Sequence, residues 1–261
     1  MNLYEFSYKY LLNQVNGLLS KDQLDSFINE VDYKDLTSFK DIYRVLIIIL
    51  QDYQSMPNII NFTSREDKIK EILKDYDIKE ISKLRWETIY RAFREAFKPK
   101  IINERVNCWM KYAKGVLDAA KFLNDFKSVE EFKKYLDYFQ TTVDSKVALP
   151  QTIAKQIHGM GFALACSFLK EIGYIDYPKP DVHMMDVFSY IGLCYENDPV
   201  SCYKAVVDVS NKCNVKPYTL DKVIYLICSG NYYRYDVKAK ESSTVLKERF
   251  IEALKERSIV G

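Results

Sequence analysis

Apolar residues recur every three or four positions along most of the chain, the spacing that places them on one face of an α-helix. The pattern is clearest in residues 38–50, 103–123 and 243–254. Runs of alternating polar and apolar residues bounded by hairpin turns are not found, which argues against extended sheet. The chain is therefore predicted to be all-α.

Local signals support that prediction. Ser128 is followed by Glu131, the spacing of a capping box, and predicts a helix that begins there and runs through Phe139. Glycine occurs 8 times and proline 7 times in 261 residues, about half of their average usage. Because these two residues mark turns, their scarcity favours long helices.

Composition excludes several classes of protein. The longest apolar stretches, 45–50 and 161–169, are far shorter than the roughly 20 residues needed to cross a bilayer. The amino terminus lacks the basic and apolar regions of a secretory signal, so we expect a cytoplasmic protein, associated with the nucleoid in a prokaryote. The six cysteines contain no C-x-x-C pair and match no zinc spacing, so no metal site is predicted.

Net charge is only +2, but the charge is unevenly distributed. Residues 85–121 contain nine Lys or Arg against four acidic residues, with aromatic residues among them. Such a segment suits contact with phosphates. A basic helical face exposed to water has the same composition, and both interpretations stay open.

Candidate chemistry is concentrated in residues 149–192. A short helix, 151–156, is followed by His158-Gly159-Met160-Gly161 and a second helix that ends at Gly173. The two glycines permit positive φ and a close approach of the backbone, so amides can point outward at the start of the second helix. Outward amides at a helix N-terminus suit a phosphate oxygen.

A second motif follows 20 residues after Gly161, where Pro180-Asp181-Val182-His183-Met184 precedes an amphipathic helix. The hairpin and this aspartate, at this separation, resemble the helix-hairpin-helix DNA glycosylase superfamily, which includes endonuclease III and 8-oxoguanine DNA glycosylase. The family's usual hairpin, Leu-Pro-Gly-Val-Gly, corresponds to residues 157–161 here. The resemblance covers roughly residues 42–229, with strong motifs only between His158 and Phe188.

The resemblance implies a fold and an activity. The fold would have two helical lobes, with residues 36–174 forming a central lobe that ends in the hairpin and residues 1–35 and 175–261 forming the second lobe. The activity would be excision of a damaged or mispaired base from double-stranded DNA during base excision repair, with Asp181 as the catalytic carboxylate. Asp181 also stands where an N-cap is expected, and the two roles are compatible.

Further residues take roles from the same resemblance. The DNA-binding candidates are His158, Gly159, Met160, Gly161, Ala163, Lys155 and His183. Gln51, Gln54 and Phe162 are candidates for filling the gap left by the extruded base or for lining the base pocket. Polar helix ends and core packing are the alternative interpretations of these three residues.

Two departures from the family change the expected chemistry. Strand-cleaving members carry a lysine two residues after the second hairpin glycine, where this chain has Ala163. Alanine cannot form a Schiff base, so a monofunctional hydrolase is predicted, although Lys155 and Lys179 are near in sequence. The four closely spaced cysteines of the iron–sulphur members are absent, so no cluster is expected, whereas the family allows a monovalent cation at the hairpin.

Two other functions stay open at this stage. The chain could be a non-catalytic helix-hairpin-helix DNA-binding protein, or a helical interaction protein in which the hairpin and the aspartate are an ordinary turn and cap. In each case we expect a monomer with no membrane partner. The sequence does not indicate which base would be excised, nor whether the role is repair or restriction.

Overall fold

The computed structural model describes residues 2–30, 36–53, 56–99 and 107–256. Helix accounts for 71% of the structure, and the described residues contain a single two-stranded sheet. The prediction of a mostly helical protein is therefore confirmed. Within the described ranges, no helix combines the length and the apolar character needed to cross a bilayer.

The chain divides into two compact units, with boundaries after residues 33 and 172. The terminal unit joins both chain ends, and the central unit is the continuous segment between them. In chain order the helices are α1 (Leu3–Gln14), α2 (Lys21–Asn29), α3 (Phe39–Leu50), α4 (Met56–Ile60), α5 (Phe62–Ile72), α6 (Ile78–Ile81), α7 (Trp86–Phe97), α8 (Cys108–Asn124), α9 (Val129–Tyr138), α10 (Val143–Gln156), α11 (Phe162–Glu171), α12 (Val182–Tyr190), α13 (Pro199–Lys212), α14 (Pro217–Ser229) and α15 (Ser243–Glu256). Strands β1 (Asn231–Tyr232) and β2 (Val237–Lys238) pair antiparallel between α14 and α15.

Helix α14 is the centre of the terminal unit. It packs against α1, α2, α12, α13 and α15, so almost every side of it is covered by another helix. Its sequence is accordingly apolar around most of its circumference, and Leu220, Val223 and Ile224 are fully buried. Asp221, in the same turn, is also buried with 4% of its surface exposed. A buried carboxylate in this apolar helix requires an explanation, which the site provides.

Helix α8 has the corresponding place in the central unit, where it packs against α3, α4, α6, α7 and α10. Small residues let its neighbours approach closely. Two buried tyrosines join it to α3: the Tyr43 hydroxyl donates to the carbonyl of Val116 at 2.8 Å, and the Tyr112 hydroxyl donates to the carbonyl of Ile47 at 3.0 Å. Burial raises the pKa of both phenols, so they remain protonated donors.

The observed helices differ from the predicted ones mainly in where they begin. Residues 38–50 and 243–254 form α3 and α15. Of the helix predicted over 103–123, the structure describes the part from residue 107 onward, and α8 begins at Cys108. The helix predicted over 151–156 is longer, since α10 starts at Val143 and includes Pro150. The capping box predicted at Ser128 is half formed at the start of α9. The Ser128 hydroxyl accepts the Glu131 amide, but the Glu131 carboxylate accepts the amide of Lys127 and not that of Ser128.

Candidate nucleic-acid interface and active site

Helices α10 and α11 are joined by a turn of five residues, 157–161. The Met160 amide donates to the Ile157 carbonyl at 3.1 Å and closes the turn. Gly159 has φ of +81°, a conformation that favours glycine. Gly161 differs from the prediction: its φ of −94° and ψ of 170° are extended, so the turn needs only one residue of positive φ.

The turn is held against α8 by two contacts. A Cβ added to Gly115 would lie 2.6 Å from the His158 carbonyl oxygen, so the hairpin backbone touches α8 where a side chain is missing. One turn further along α8, the Asp118 carboxylate accepts the His158 amide at 3.1 Å. Sequence reasoning missed both residues, because a glycine and an aspartate inside a helix carry no signal of a partner 40 residues away.

The opposite side of the turn is open. A Cβ added to Gly159 or Gly161 would meet nothing within 4 Å. The first hydrogen bond that closes α11 runs from the Ala165 amide to the Gly161 carbonyl, and Gly161 provides no side-chain cap. Among the described residues, no acceptor is found for the amides of Gly159, Gly161 and Ala163. These donors and the positive end of α11 form a surface that suits an anionic oxygen.

The predicted hairpin residues do not all reach this surface. His158 and Lys155 are exposed, whereas Ala163 and Phe162 are half-buried in the first turn of α11. Met160 is buried, with 5% of its surface exposed, and its amide is used inside the turn. Its side chain therefore serves packing and offers nothing to a ligand at the surface.

A basic side of α8 lies next to the turn. Lys111 and Lys114 project from the same face of the helix as Gly115 and Asp118, since these positions are spaced by three, four and seven residues. The Lys114 ammonium lies 4.6 Å from the ring centre of Trp86, and that of Lys111 lies 5.6 Å from the ring centre of Tyr53. Both lysines are half-buried. Of the basic segment 85–121, Lys100 and Arg105 lie outside the described residues.

Of the two glutamines predicted to fill the gap left by an extruded base, the structure describes only Gln51. Gln51 follows α3, and its side-chain oxygen accepts the Phe62 amide at 3.0 Å at the start of α5. That bond joins two helix ends, which is the polar helix-end role that the sequence left open. Gln54 lies outside the described residues.

Asp181 belongs to the terminal unit and is the N-cap of α12. Its Oδ1 accepts the Met184 amide at 3.0 Å, and no donor is found for Oδ2 among the described residues. Burial is the main cause that raises the pKa of this carboxyl, and the charge of Asp221 acts in the same direction. The Met184 amide, Lys179 and His183 oppose this increase in pKa. Capping therefore occupies one oxygen of a carboxylate whose proton affinity is above the ordinary value.

Two further residues surround Asp181. Asp221 on α14 accepts the Lys179 amide at 3.0 Å through Oδ2, two residues before Asp181. The ring centre of His183 lies 6.4 Å from that of Tyr225, and its buried Nδ1 has no hydrogen-bond partner. Sequence reasoning named His183 but missed Asp221, because an aspartate four residues into a helix is most often exposed.

Metal ligands and the carbonyls of the hairpin bear on whether a cation could bind. Among the described residues, no group of three or more His, Cys, Asp or Glu could hold a metal. At the hairpin, the Ile157 carbonyl accepts the Met160 amide and the His158 carbonyl faces α8. Two carbonyls of the turn thus make contacts inside the protein, and a monovalent cation at the hairpin stays a prediction.

Comparison with known proteins gives no relative: no family model, no curated protein and no solved structure matches this chain.

Gly115→Ala tests the contact between the hairpin and α8. Alanine in place of glycine inside a helix ordinarily stabilises by about 1 kcal/mol. Here the added methyl would overlap the His158 carbonyl, so the free energy of unfolding should fall by roughly 1–3 kcal/mol in urea titrations. Gly161→Ala is the control for the added methyl group, because its φ is negative and the space around it is open; it should cost no more than the roughly 1 kcal/mol by which alanine is a poorer N-cap than glycine. A more stable Gly115→Ala protein would contradict this contact.

Asp181→Asn tests the cost of the buried carboxylate. Asparagine caps helices as well as aspartate but carries no charge. A raised pKa in the folded state means that stability increases as pH falls through that pKa, so the ionised form at neutral pH is the less stable one. The variant should be more stable than the wild type at pH 7, by up to about 1 kcal/mol, and the difference should vanish in acid.

The control is Asp198→Asn, which alters the N-cap aspartate of α13, where the carboxylate accepts the amides of Val200 and Ser201. That change should leave stability within a few tenths of a kcal/mol. Equal effects of the two substitutions at pH 7 would mean that Asp181 is an ordinary cap.

Proposed function

We propose that this protein is a DNA glycosylase with the two-lobed helix-hairpin-helix fold, which excises a damaged or mispaired base from double-stranded DNA. The observation that carries the proposal is the environment of Asp181: a half-buried carboxylate with a raised pKa, one oxygen of which receives no hydrogen bond from the residues that the structure describes. Carboxylates with such perturbed proton affinity are concentrated at functional sites. Its place 20 residues after the hairpin agrees with the resemblance of the sequence.

Asp181 suits the reaction that breaks an N-glycosidic bond. As the base departs, positive charge develops on the deoxyribose, and a fixed carboxylate stabilises that charge more than it stabilises the neutral sugar. A raised pKa also makes the carboxylate a stronger base toward a water molecule. Oδ2 would perform this work, since Oδ1 accepts the Met184 amide.

Phosphate binding would be the task of the central unit. The amides of Gly159, Gly161 and Ala163 would donate to a phosphate oxygen, and the exposed side chains of His158 and Lys155 would flank it. Lys111 and Lys114 would extend the contact along α8. Extruding a base costs a few kcal/mol, and contacts of this kind offset that cost.

The nucleophile would be water. Ala163 stands where strand-cleaving relatives of this fold carry lysine, and a methyl group cannot form an imine with the sugar. The product would be an abasic site in an intact strand. Lys179 is electrostatically close to Asp181, where it favours the ionised carboxylate. We assign it to the neighbourhood of the sugar phosphates, together with His183.

The activity test uses duplex oligonucleotides that contain uracil, an alkylated purine, 8-oxoguanine or a mispair, followed by alkali to cleave at abasic sites. The wild type should release a base from at least one substrate and cleave the strand only after alkali is added. Asp181→Asn should lower the rate by at least about 10²-fold, because the carboxylate acts in the transition state.

Asp198→Asn serves again as the matched cap variant and should retain full activity. Salt-sensitive binding without base loss would support the alternative, a non-catalytic DNA-binding protein, and would sink the glycosylase proposal. A covalent adduct trapped with borohydride would overturn the assignment of water as the nucleophile.

Binding to undamaged duplex, measured by fluorescence anisotropy over a range of salt concentrations, tests the phosphate surface. Lys111→Ala and Lys114→Ala should each reduce the slope of log affinity against log salt by about 1, because each removes one phosphate contact. Lys83→Ala, at an exposed lysine paired with Glu80, is the control and should leave the slope unchanged. An unaltered slope in both α8 variants would remove this helix from the interface.

A further inference from the structure

Asp221 is a buried charge that the proposed chemistry does not use. It lies in the first turns of α14 with 4% of its surface exposed, among residues that are almost all apolar. Removing a carboxylate from water costs several kcal/mol unless partners compensate. A serine or an asparagine at the same position could accept a hydrogen bond at lower cost. What a carboxylate does at this position follows from its contacts.

One partner of Asp221 lies in the turn that leads into Asp181. Residues 178–180 are Pro-Lys-Pro, and proline has no backbone N–H, so the Lys179 amide is the only main-chain donor of these three residues. Asp221 Oδ2 accepts this amide at 3.0 Å. The Lys179 carbonyl in turn accepts the Asp181 amide at 2.8 Å, so a chain of two hydrogen bonds joins α14 to the residue that caps α12.

Asp221 is the acidic group whose negative charge raises the pKa of Asp181. Tyr225 and Cys228 of α14 and Cys202 of α13 are the other titratable groups on which the charge of Asp181 acts. Burial raises the pKa of all three, to about 12 for Cys228, so they are neutral at physiological pH. On α15, which also packs against α12, Lys247 is paired with Asp186. Lys179 and His183 are the groups that favour the ionised carboxylate.

We propose that Asp221 is a positioning residue for Asp181: its bond to the Lys179 amide fixes the Pro-Lys-Pro turn that leads into Asp181 and anchors a second carboxylate at that turn. The charge of Asp221 is also one of the causes that raise the pKa of Asp181. The proposal rests on the function given above, since it assigns Asp181 the role of a base. Two carboxylates that share a site raise the proton affinity of one of them, as like charges do generally. Burial of Asp181 acts in the same direction.

Two substitutions separate the hydrogen bond from the charge. Asp221→Asn keeps an oxygen that can accept the Lys179 amide but removes the charge, whereas Asp221→Ala removes both. Asp208→Asn, at an exposed aspartate of α13 paired with Lys212, is the matched control for loss of one negative charge in the same unit. Circular dichroism and urea titration establish that each variant folds.

The first measurement requires no substrate. The Asp181 carboxyl carbon is followed by NMR as pH is varied, and its signal is assigned by its loss in Asp181→Asn. In the wild type it should titrate above the ordinary range of aspartate. Asp221→Asn should lower its pKa, and Asp208→Asn should leave it unchanged. An ordinary or lowered pKa for Asp181 in the wild type overturns the proposal without any variant. Should Asp221→Asn fail to fold, Asp221→Ala takes its place, and an Asp181 pKa that is unchanged in that variant also overturns the proposal.

The second measurement is the pH profile of base removal. The rate should fall on the acid side as Asp181 becomes protonated, and in Asp221→Asn this acid limb should move to lower pH. In Asp221→Ala the Lys179 amide loses its acceptor, so the rate should fall by about tenfold at every pH. If Asp221 had only a structural role, its substitution would change the rate of base removal, but the pH at which the rate falls on the acid side would stay the same.

The outcomes of the two measurements are separable. If no base is released from any substrate but the Asp181 titration moves in Asp221→Asn, the glycosylase proposal fails and the coupling of the two carboxylates stands. If bases are released but neither the titration nor the acid limb moves, the function stands and the role of Asp221 is wrong.

Discussion

The terminal unit encloses two carboxylates, and its apolar packing has to compensate for their burial. Asp221 is enclosed by the helices around α14, and Asp181 lies half-buried at the start of α12. Charges in such places reduce stability unless apolar packing elsewhere compensates. The compensation is visible in α14, where Val223, Ile224 and Ile227 are fully buried. A chain selected for stability alone would have little reason to keep both acids there.

The central unit is built around a different constraint, which is the close approach of two backbones. Gly115 lets the His158 carbonyl lie against α8, and Asp118 accepts the amide of the same residue. One face of the turn is thereby fixed, and the other face, with Gly159 and Gly161, stays free of side chains. A ligand oxygen could reach the backbone only on that free face. Rigid support on one side and access on the other are what a phosphate site requires.

The sequence was informative where the signal is local. Helical periodicity located α3 and α15, and the rule for caps located Asp181 at the start of α12. It failed where a residue acts through a distant partner. Asp221 and Gly115 look like ordinary helix positions, and only the fold brings them to Lys179 and His158. For Gln51 the sequence left two roles open, and the bond that its side chain accepts from the Phe62 amide agrees with the polar helix end.

The capping role of Asp181 and its proposed role as a base are compatible because they use different oxygens. Donation from the Met184 amide to Oδ1 fixes the side-chain rotamer, and this fixes the direction of Oδ2 as well. The same bond favours the ionised form, against burial and the charge of Asp221. If the capping bond were absent, the carboxyl would hold its proton more tightly and would also be free to rotate. A helix N-terminus is thus a suitable place for a base that must be both oriented and ionised.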